Sequence, residues 1–394
     1  MGAALPERVA FTSLDLLPAL FEAHHRSLVE TLRSVAGALL EDDRPVERIA
    51  HIIGTEHGLY RHLQPREGRV DVRGLVLLRE ALGYSHPAAD AIFAVQGLGT
   101  YPIALAGREA QRQAWLPDCY AGERIAGFAL TEPEAGSDVA SLQTLAEPHD
   151  GGWTLTGDKC FISNVPLAGH YVVFAKVTGD TPGASHDERR RITAFIVPSD
   201  AAGLTVERQS LSIDHPLGWL RMRGCRVRDE HRLGAVGDGF KLAMQTLDTF
   251  RISVGAAANG MAAAALEDAL RHVTARRQFG APLSEQQMVQ GYLADMATEL
   301  DAARLLVLRA AYAKDTVSGR HSAAVAKAKM FATEAAQRVI DRALQLHGGR
   351  GVLAESRVEH LYREIRPLRI YEGTTEIQRL IIARDLLRAE TSPL

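Results

Sequence analysis

Hydrophobic and polar positions follow three different patterns along the chain, and each pattern predicts a different kind of element. In residues 1–123 apolar side chains recur at steps of three and four, as in LFEAHHRSLVETLRSVAGALL and VRGLVLLREALG, which predicts helices with short breaks at Gly and Pro. Residues 124–233 instead contain short runs rich in β-branched and aromatic residues, such as HYVVFAKV and RITAFIVPS, separated by turn-like pieces. Strands at this spacing favour an antiparallel barrel or sandwich over alternating βαβ units.

The third pattern, in residues 234–394, is that of long Ala-rich helices. The first helix is predicted to end at Gly280-Ala281-Pro282, and SEQQ at 284–287 predicts a capping box in which Gln287 reaches back to Ser284. A later helix is predicted to end on the glycine pair of QLHGG, with a left-handed cap. Because long helices joined by short loops form antiparallel bundles, we expect an α+β chain that is mostly α. Its predicted parts are an N-terminal helical domain (1–123), a central β domain (124–233) and a C-terminal helical bundle domain (234–394).

Composition narrows the class of protein. The 394 residues are 46% hydrophobic and 24% charged, with a net charge of −3 and no basic or acidic tail, so we expect a globular protein without a nucleic-acid partner. The three cysteines lie far apart, which favours a reducing, cytoplasmic compartment over a disulfide framework. No HExxH pair occurs among the fifteen histidines, and His24 and His25 are predicted to be solvated surface residues, so we expect no metal. We also expect no secretory signal and no membrane span.

Two segments of the β-region carry side chains suited to a flat cofactor. FALTEPEAGSDVA offers hydroxyls at Thr131 and Ser137, and Gly136 allows unusual backbone angles and close approach of a ligand. A plain turn or the cap of a short helix explains this segment equally well. In DKCFISNV, Phe161 and Ser163 offer an aromatic wall and a hydrogen-bond donor, although half-buried strands often have such residues.

Two segments of the helical region carry groups suited to phosphates. ARRQFGAPLSEQQ places Arg276 and Phe279 at a helix break, where an Arg either binds a pyrophosphate or simply ends a helix with a favourable charge. QLHGGRG is rich in glycine but is neither a P-loop nor a GxGxxG after a strand. No Rossmann fingerprint occurs in the sequence, so a nicotinamide dehydrogenase of the usual kind is disfavoured.

Six motifs in a fixed order are more specific than any of them alone: TEPEAGSD, FIS, LDTFR, RRQFG, QLHGGRG and RIYEGTTEIQR. Over about Gln96 to Arg388 this series closely resembles the acyl-CoA dehydrogenase family. The resemblance implies an FAD-dependent enzyme of fatty acid metabolism, which removes an α-proton and a β-hydride from an acyl-CoA thioester and gives a trans-2-enoyl-CoA. It also implies a homotetramer built as a dimer of dimers, FAD at a subunit boundary, and an electron-transferring flavoprotein as the acceptor. The family fold has the same order of helices, β-domain and four-helix bundle.

The resemblance assigns Glu372, in the YEG motif, as the catalytic base that takes the α-proton, while the hydride passes from the β-carbon to flavin N5. A carboxylate in an apolar cleft gains proton affinity by desolvation, which suits a base that works near neutral pH. Gly373 then allows a tight turn close to the thioester, and Thr375-x-x-Gln378 predicts a capping box for the next helix. In the family, the base's own N–H and a flavin ribityl hydroxyl polarise the thioester carbonyl.

The resemblance assigns the binding residues in the same way, position by position. Phe161 and Ser163 match residues beside the flavin ring and N5, where Trp and Thr are commoner. The residues that match contacts to the FAD of the neighbouring subunit are Arg276, Phe279, Gln287, Gln345 and Gly349. The complete FAD set is Phe128, Leu130, Thr131, Gly136, Ser137, Phe161, Ser163, Arg276, Phe279, Gln287, Gln345, Gly349, Thr374 and Glu376. The substrate set is Ser137, Asp248, Arg251, Tyr371 and Gly373.

Three departures from the family pattern bear on the substrate. Phe250 replaces a polar residue near the expected acyl tunnel, Tyr101 lies near the expected end of the acyl tail, and Pro367 comes just before a strand-like piece that carries Glu372. They leave the length and shape of the acyl group open. Three alternatives also stay open: the same reaction on a carrier-protein thioester, an acyl-CoA oxidase, and a non-catalytic scaffold, which should lack the base or part of the FAD set.

Overall fold

The structure is a computed structural model that describes residues 9–40, 44–178, 181, 185 and 187–391. The described residues fall into two compact units. The helical unit is formed from the segments Met1–Asp43, Asp71–Asp90 and Arg251–Leu394, and the sheet unit from Arg44–Val70 and Ala91–Phe250. This division differs from the three predicted domains, whose boundaries near 123 and 233 stay a prediction.

Helices open and close the chain, and strands occupy its middle, so the predicted order of elements is confirmed. The helices are α1 (Ser13–Leu16), α2 (Ala23–Leu39), α3 (Val46–His51), α4 (Val72–Ser85), α5 (Pro87–Ala106), α6 (Glu109–Ala121), α7 (Gly239–Ala275), α8 (Gln287–Thr316), α9 (Ser322–His347), α10 (Arg357–Leu368) and α11 (Thr375–Thr391). Among the described residues, none of the helices combines the length and the hydropathy that a membrane crossing needs.

Two predicted helix ends are wrong in detail. The capping box at 284–287 does not form, because Ser284 lies in a short 3₁₀ turn, Leu283–Glu285, and α8 begins only at Gln287. The residue after α9, Gly348, has the expected positive φ of 59°, but its ψ of −140° lies outside the left-handed helical region. A turn precedes α8 and another follows α9, and the helical periodicity of the sequence does not predict the conformation of either turn.

Helices α4 and α7 approach each other closely in the helical unit. A Cβ added at Gly83 would overlap the carbonyl of Ala257, and one added at Gly260 would overlap the carbonyl of Glu80. Beside this crossing, the buried carboxylate of Glu80 accepts hydrogen bonds from Arg304 Nε at 2.7 Å and from the backbone N–H of Ser13 at 2.7 Å. Small residues at the crossing therefore let a buried ion pair connect α4, α8 and the N-terminal segment.

The sheet unit contains an eight-stranded sheet with the strand order β6-β7-β3-β2-β4-β5-β8, and β1 pairs with β4 outside this path. The strands are β1 (Ala126–Ala129), β2 (Leu145–His149), β3 (Gly152–Ser163), β4 (His170–Val177), β5 (Ile192–Pro198), β6 (Leu204–Arg208), β7 (Leu217–Arg228) and β8 (Arg232–Leu233). Most pairs are antiparallel, as predicted, but β1 and β2 both run parallel to β4. Runs such as HYVVFAKV, in β4, do not reveal strand direction, because they are buried on both faces.

The core of the sheet unit is built from inward-facing residues of β3, β4, β5 and β7. Trp153 packs on Phe195 with ring centroids 5.4 Å apart, and Leu155, Tyr171 and Leu220 belong to the same buried cluster. The three cysteines of the chain, Cys119, Cys160 and Cys225, are all buried free thiols in this unit.

The close crossing of α4 and α7 predicts a marked difference between two glycines. Gly260→Ala should destabilise the protein by about 1–3 kcal/mol, because the added methyl group overpacks the crossing. Gly291→Ala is the matched control: Gly291 lies in α8 with no atom within 4 Å of an added Cβ, so this change should stabilise by about 1 kcal/mol through helix propensity. Thermal unfolding of both variants checks the prediction, and equal melting temperatures would contradict it.

Candidate active site

The segment that carries Glu372 is a tight turn between α10 and α11. Pro367 lies in the last turn of α10, and its carbonyl accepts the backbone N–H groups of Ile370 and Tyr371 at 2.8 and 3.0 Å. The predicted strand-like piece is therefore wrong: these residues are held by helix-end hydrogen bonds instead of a ladder. Glu372 and Gly373 follow with positive φ values of 53° and 92°. A left-handed φ is costly for a Glu, and such outliers cluster at functional sites.

Buried cations hold this turn through its carbonyl groups. Arg251 Nε donates to the carbonyl oxygen of Glu372 at 2.7 Å, and Lys329 Nζ donates to that of Gly373 at 2.9 Å. The side-chain amide of Gln378 also donates to the Gly373 carbonyl, at 2.8 Å. These three bonds fix the carbonyl groups of two consecutive residues, and they hold Glu372 in a left-handed conformation that its backbone alone disfavours.

Helix α11 is capped differently from the prediction. The hydroxyl of Thr374 accepts the backbone N–H of Ile377 at 3.4 Å, so Thr374 is the N-cap. Thr375 donates its hydroxyl to Glu334 at 2.7 Å, and Gln378 points to Gly373. The predicted capping box between Thr375 and Gln378 is wrong, because the two side chains bond to Glu334 and to the Gly373 carbonyl instead of to each other's backbone. The spacing of residues within the motif does not predict these partners.

The electrostatic environment of Glu372 suits a proton acceptor. Burial raises the pKa of its carboxyl group above the ordinary value, while the cationic side chains of Arg79, Arg251 and Lys329 oppose this rise. Its Oε2 atom is buried and has no hydrogen-bond partner. Buried polar atoms in proteins nearly always have partners, so an unpaired carboxylate oxygen indicates a place where a ligand or substrate atom is expected.

Arg79 and Lys329 are functional residues that the sequence analysis missed. Arg79 is fixed by a bidentate ion pair with Asp90, with both N···O distances 2.8 Å, and it also donates to Ser253 at 3.1 Å. Burial lowers the pKa of Lys329 to about 8, against the opposing effect of Glu372. A signal was present: each basic residue interrupts an apolar or Ala-rich run, VLLREALG or AVAKAKMFA, where a solvated charge is unexpected.

The TEPEAGSD segment is a turn in which Glu132 and Ala135 exchange backbone hydrogen bonds. The carboxylate of Glu132 is buried and accepts bonds from Lys159 Nζ at 2.8 Å and from the N–H of Thr144 at 3.0 Å. Lys159, which is itself fully buried, also donates to the carbonyl of Leu130 at 3.0 Å. A short 3₁₀ helix, Val139–Ser141, follows the segment, but Asp138 and not Thr131 occupies its N-cap position. The predicted alternative of a helix cap therefore does not involve Thr131, and the buried ion pair anchors the turn.

The anchored turn exposes the residues that the resemblance assigned to FAD. Gly136 and Ser137 are exposed, and an added Cβ at Gly136 would meet no atom within 4 Å. The φ of Gly136 is not left-handed, so the expected need for unusual backbone angles is wrong, while the expected open space is present. Phe128, in β1, packs on Phe174 with ring centroids 5.0 Å apart. Thr131, which follows β1 in the chain, is half-buried.

The end of β3 also shows a local distortion. The pairing of β3 with β7 shifts register between Lys159 and Ile162, and Phe161 within this bulge has a φ of 55°. The side chain of Phe161 is 61% exposed, and its N–H donates to Gln209 at 3.0 Å. Two residues on, Ser163 lies 2.8 Å from His215, measured from Oγ to Nε2. The bulge therefore presents an aromatic ring and a hydroxyl group at one strand end, as the sequence predicted.

The RRQFG segment forms a small hairpin in which Arg277–Gln278 pairs with Ala281–Pro282. Its two turn residues, Phe279 and Gly280, have φ values of 52° and 81°, a turn that normally prefers Asn-Gly. The ring of Phe279 is 96% exposed. An aromatic residue that is both strained and almost wholly exposed indicates a surface for a ligand or a partner.

The remaining predicted site residues lie on helices of either unit. Asp248 is half-buried on α7 in the sheet unit, whereas Arg251, one turn later, belongs to the helical unit and bonds to Glu372. Five assigned residues are exposed at helix ends or loops: Arg276, Gln287, Gln345, Gly349 and Glu376. Leu130 is buried, and Tyr371, Gly373 and Thr374 are half-buried in the turn of Glu372. Their contacts with FAD and substrate stay predictions.

His24, His25 and Asp71 come together at the surface of the helical unit in an arrangement that could hold a metal. Both histidines contact Asp71 through Nε2 at 3.0 Å, and His25 is fully buried, so its predicted surface position is wrong. The backbone N–H of Glu22 donates to Nδ1 of His25 at 3.0 Å, so His25 carries its proton on Nε2 and donates it to Asp71. A protonated Nε2 cannot ligate a metal, and this cluster is a hydrogen-bonded cap at the start of α2 and α4.

The residues present fit an FAD. In the sheet unit, the exposed aromatic side chain of Phe161, the hydroxyls of Ser137 and Ser163 and the open space at Gly136 are groups expected for a flat ring and its phosphate chain. In the helical unit, Arg276 and the exposed ring of Phe279 offer a cation and an aromatic surface of their own. Oε2 of Glu372, in the same unit, is buried and has no hydrogen-bond partner among the described residues.

Comparisons with known proteins agree with this fold. The family models for the N-terminal, middle and C-terminal domains of acyl-CoA dehydrogenases match residues 54–123, 127–225 and 237–387. The human mitochondrial short-chain specific acyl-CoA dehydrogenase is 40% identical over 294 residues, 74% of this chain and 70% of that protein. The 3-(aryl)acrylate reductase of Clostridium sporogenes is 36% identical over 341 residues, 84% of this chain and 88% of that protein.

Among solved structures, butyryl-CoA dehydrogenase from Megasphaera elsdenii is similar with a TM-score of 0.85 and 30% identity, covering 93% of this chain and 99% of that one. The chain therefore belongs to the acyl-CoA dehydrogenase family, a class of oxidoreductases. FAD is the cofactor of this family and of this chain.

Lys329 provides a test of how the pKa of Glu372 is set. A base must be ionised, so flavin reduction by substrate should accelerate as pH rises through the raised pKa of Glu372. The Lys329 cation opposes that rise, so Lys329→Met should move this ascending limb to higher pH. The control is Lys327→Met, because Lys327 lies two residues away on α9 and is not among the cations that lower the pKa of Glu372. Stopped-flow reduction across pH measures both, and an unmoved limb in Lys329→Met would rule out this role.

Proposed function

We propose that the chain oxidises a short-chain acyl-CoA thioester to the trans-2-enoyl-CoA, with Glu372 as the base that takes the α-proton. The observation that carries this proposal is the unpaired, buried Oε2 of Glu372 in a left-handed turn that Arg251 and Lys329 hold by its carbonyl groups. The short-chain assignment is supported by the names of the relatives, since one acts on short chains and one solved neighbour is a butyryl-CoA dehydrogenase.

The residues of the turn have separate tasks in this reaction. Bound FAD supplies the acceptor for the hydride from the β-carbon. Glu372 accepts the α-proton at Oε2, and desolvation gives it the proton affinity to do so. Arg251 and Lys329 fix the carbonyl groups of residues 372 and 373, so the orientation of the intervening peptide is set before the substrate binds. Glycine is required at position 373, because its φ of 92° is left-handed and an added Cβ would meet the Gln378 side chain that bonds to the Gly373 carbonyl.

The exposed hairpin around Phe279 supports a binding role across subunits. We infer that Arg276, Phe279, Gln287, Gln345 and Gly349 contact the FAD of a neighbouring subunit in a homotetramer built as a dimer of dimers. An exposed Phe in a strained turn gains stability only if something covers it. The electrons then pass to an electron-transferring flavoprotein.

The end of the acyl tail is assigned to Tyr101 and Phe250 of the sheet unit. Their rings meet edge to face with centroids 5.6 Å apart, and Phe250 is fully buried. The Phe250 ring occupies the space beside Gly97, where an added Cβ would overlap it. Two aromatic rings and a filled gap suit a short acyl group better than a long one.

An anaerobic titration of the flavin absorbance with acyl-CoA esters of short, branched, cyclic and long chains tests the function. Short-chain esters should bleach the oxidised flavin band of the wild-type holoenzyme. In Glu372→Gln the fold and FAD should be retained, because the amide is isosteric, while the bleaching rate should fall by about four orders of magnitude, as expected when an essential acid-base group is removed.

Three results would decide against parts of the proposal. Bleaching of Glu372→Gln at the wild-type rate would remove Glu372 from the role of base. A normal flavin spectrum without bleaching by any CoA ester would favour a carrier-protein thioester. Fast reoxidation of the bleached enzyme by oxygen would favour an acyl-CoA oxidase over transfer to a flavoprotein.

Phe250 provides a separate test of the acyl-chain assignment. Phe250→Leu should shift the preferred substrate toward longer acyl chains, because it opens space beside Gly97 and Tyr101. Phe195→Leu makes the same change in the core of the sheet, so it should lower stability without changing chain preference. The ratio of kcat/KM for hexanoyl-CoA and butyryl-CoA measures the shift. If both variants kept the wild-type ratio, Phe250 would not limit chain length.

A further inference from the structure

A histidine, His215, contacts the hydroxyl of Ser163, the residue that the family resemblance places beside flavin N5. His215 lies in the segment before β7, and its Nε2 is 2.8 Å from Oγ of Ser163 at the end of β3. The surrounding backbone ties the two segments together, since the N–H of Asn164 donates to the carbonyl of Pro216 at 2.8 Å. The Asn164 side chain also donates to the carbonyl of Ala126 at 2.9 Å. The contact is therefore built into the fold on both sides.

The surroundings of His215 determine which nitrogen carries its proton. Burial lowers the pKa of His215 to about 4, so the ring is neutral near neutral pH. Its Nδ1 atom is buried and has no hydrogen-bond partner among the described residues. A proton on Nδ1 would be a buried N–H without an acceptor, which proteins tolerate less often than a buried acceptor without a donor. The proton therefore belongs on Nε2, which donates to Ser163 Oγ.

This arrangement sets the direction of the Ser163 hydroxyl group. An oxygen that accepts a bond from His215 keeps its own proton for another acceptor, and hydrogen bonds in series strengthen one another. Ser163 is half-buried, so its hydroxyl can reach a ligand. The pair thus prepares a hydrogen-bond donor at the strand end beside the exposed ring of Phe161.

We propose that His215 is a positioning residue for the flavin: it holds Ser163 so that the hydroxyl donates a hydrogen bond to the N5 edge of the isoalloxazine ring. This inference rests on the proposed function and on the family resemblance, which assigns Ser163 to a position beside N5. N5 accepts a hydrogen bond in the oxidised ring and carries a hydrogen in the reduced ring. A fixed donor therefore stabilises the oxidised ring and makes the bound flavin harder to reduce.

The midpoint potential of the bound FAD tests this inference through a double-mutant cycle. His215→Phe and Ser163→Ala should each favour the reduced flavin by about tenfold, which raises the potential of a two-electron couple by about 30 mV. The double variant should shift no further than either single variant, because His215 acts only through Ser163. His215→Gln is the conservative variant, since its amide can reach the Nε2 position and should retain most of the wild-type potential.

A second measurement does not depend on the phenylalanine variant being folded. The ¹⁵N chemical shifts of His215 in the wild-type holoenzyme should show the tautomer with the proton on Nε2. The tautomer with the proton on Nδ1 would overturn the inference, since His215 would then accept the Ser163 proton and turn the hydroxyl away from the flavin.

The outcomes separate this inference from the proposed function. If wild-type protein binds FAD and acyl-CoA bleaches it, the proposed function stands. In that case an unshifted potential in His215→Phe or Ser163→Ala, or additive shifts in the double variant, would overturn the role of His215. If no acyl thioester bleaches the wild-type flavin while the cycle still shows the expected non-additive shifts, the role of His215 holds and the proposed substrate is wrong.

Discussion

Two buried cations on the carbonyl groups of Glu372 and Gly373 are the interaction on which the catalytic turn depends. A residue with a side chain gains nothing from a left-handed backbone, so the φ of 53° at Glu372 costs of order 1–3 kcal/mol unless the surroundings hold it, whereas Gly373 adopts its φ of 92° without this penalty. Arg251 and Lys329 supply that hold from α7 and α9, two long helices of the bundle. The same cations moderate the proton affinity that desolvation gives to Glu372. The shape of the turn and the proton affinity of the Glu372 carboxyl group therefore have one common source.

The sheet unit follows the same principle with different groups. The Glu132–Lys159 pair, buried beneath the TEPEAGSD turn, fixes a segment whose outer face is exposed. The bulge at Phe161 in the sheet unit, like the hairpin at Phe279 in the helical unit, holds an aromatic residue at positive φ. Of the five non-glycine residues with positive φ in the described part of the chain, three are site residues that the family resemblance also assigned. Backbone strain and sequence motif thus identify the same places by independent routes.

The sequence was sufficient for the elements and the motifs, because hydrophobic period and the order of six motifs are local or linear signals. It was insufficient wherever a side chain bonds far along the chain. Thr375 was predicted to cap its own helix but bonds to Glu334, and His25 was predicted to be solvated but is buried on Asp71. Arg79, Lys329 and His215 escaped notice for the same reason, since only the fold brings them to Glu372 or Ser163. The parallel direction of β1 and β2 against β4 was hidden because the side-chain pattern of a short strand does not record the direction of its partner.

The burial of all three cysteines has a consequence for the chemistry of this chain outside catalysis. Desolvation raises the pKa of Cys119 to about 12 and that of Cys225 to about 11, so almost none of either thiol is present as the reactive thiolate at neutral pH. Burial also raises the pKa of the Cys160 thiol. Alkylating reagents and peroxide can then reach these sulfurs only when the surrounding structure opens locally. The rate of modification of each thiol therefore measures local unfolding at its own place in the sheet unit, in helix α6 for Cys119 and in strands β3 and β7 for Cys160 and Cys225, without any engineered label.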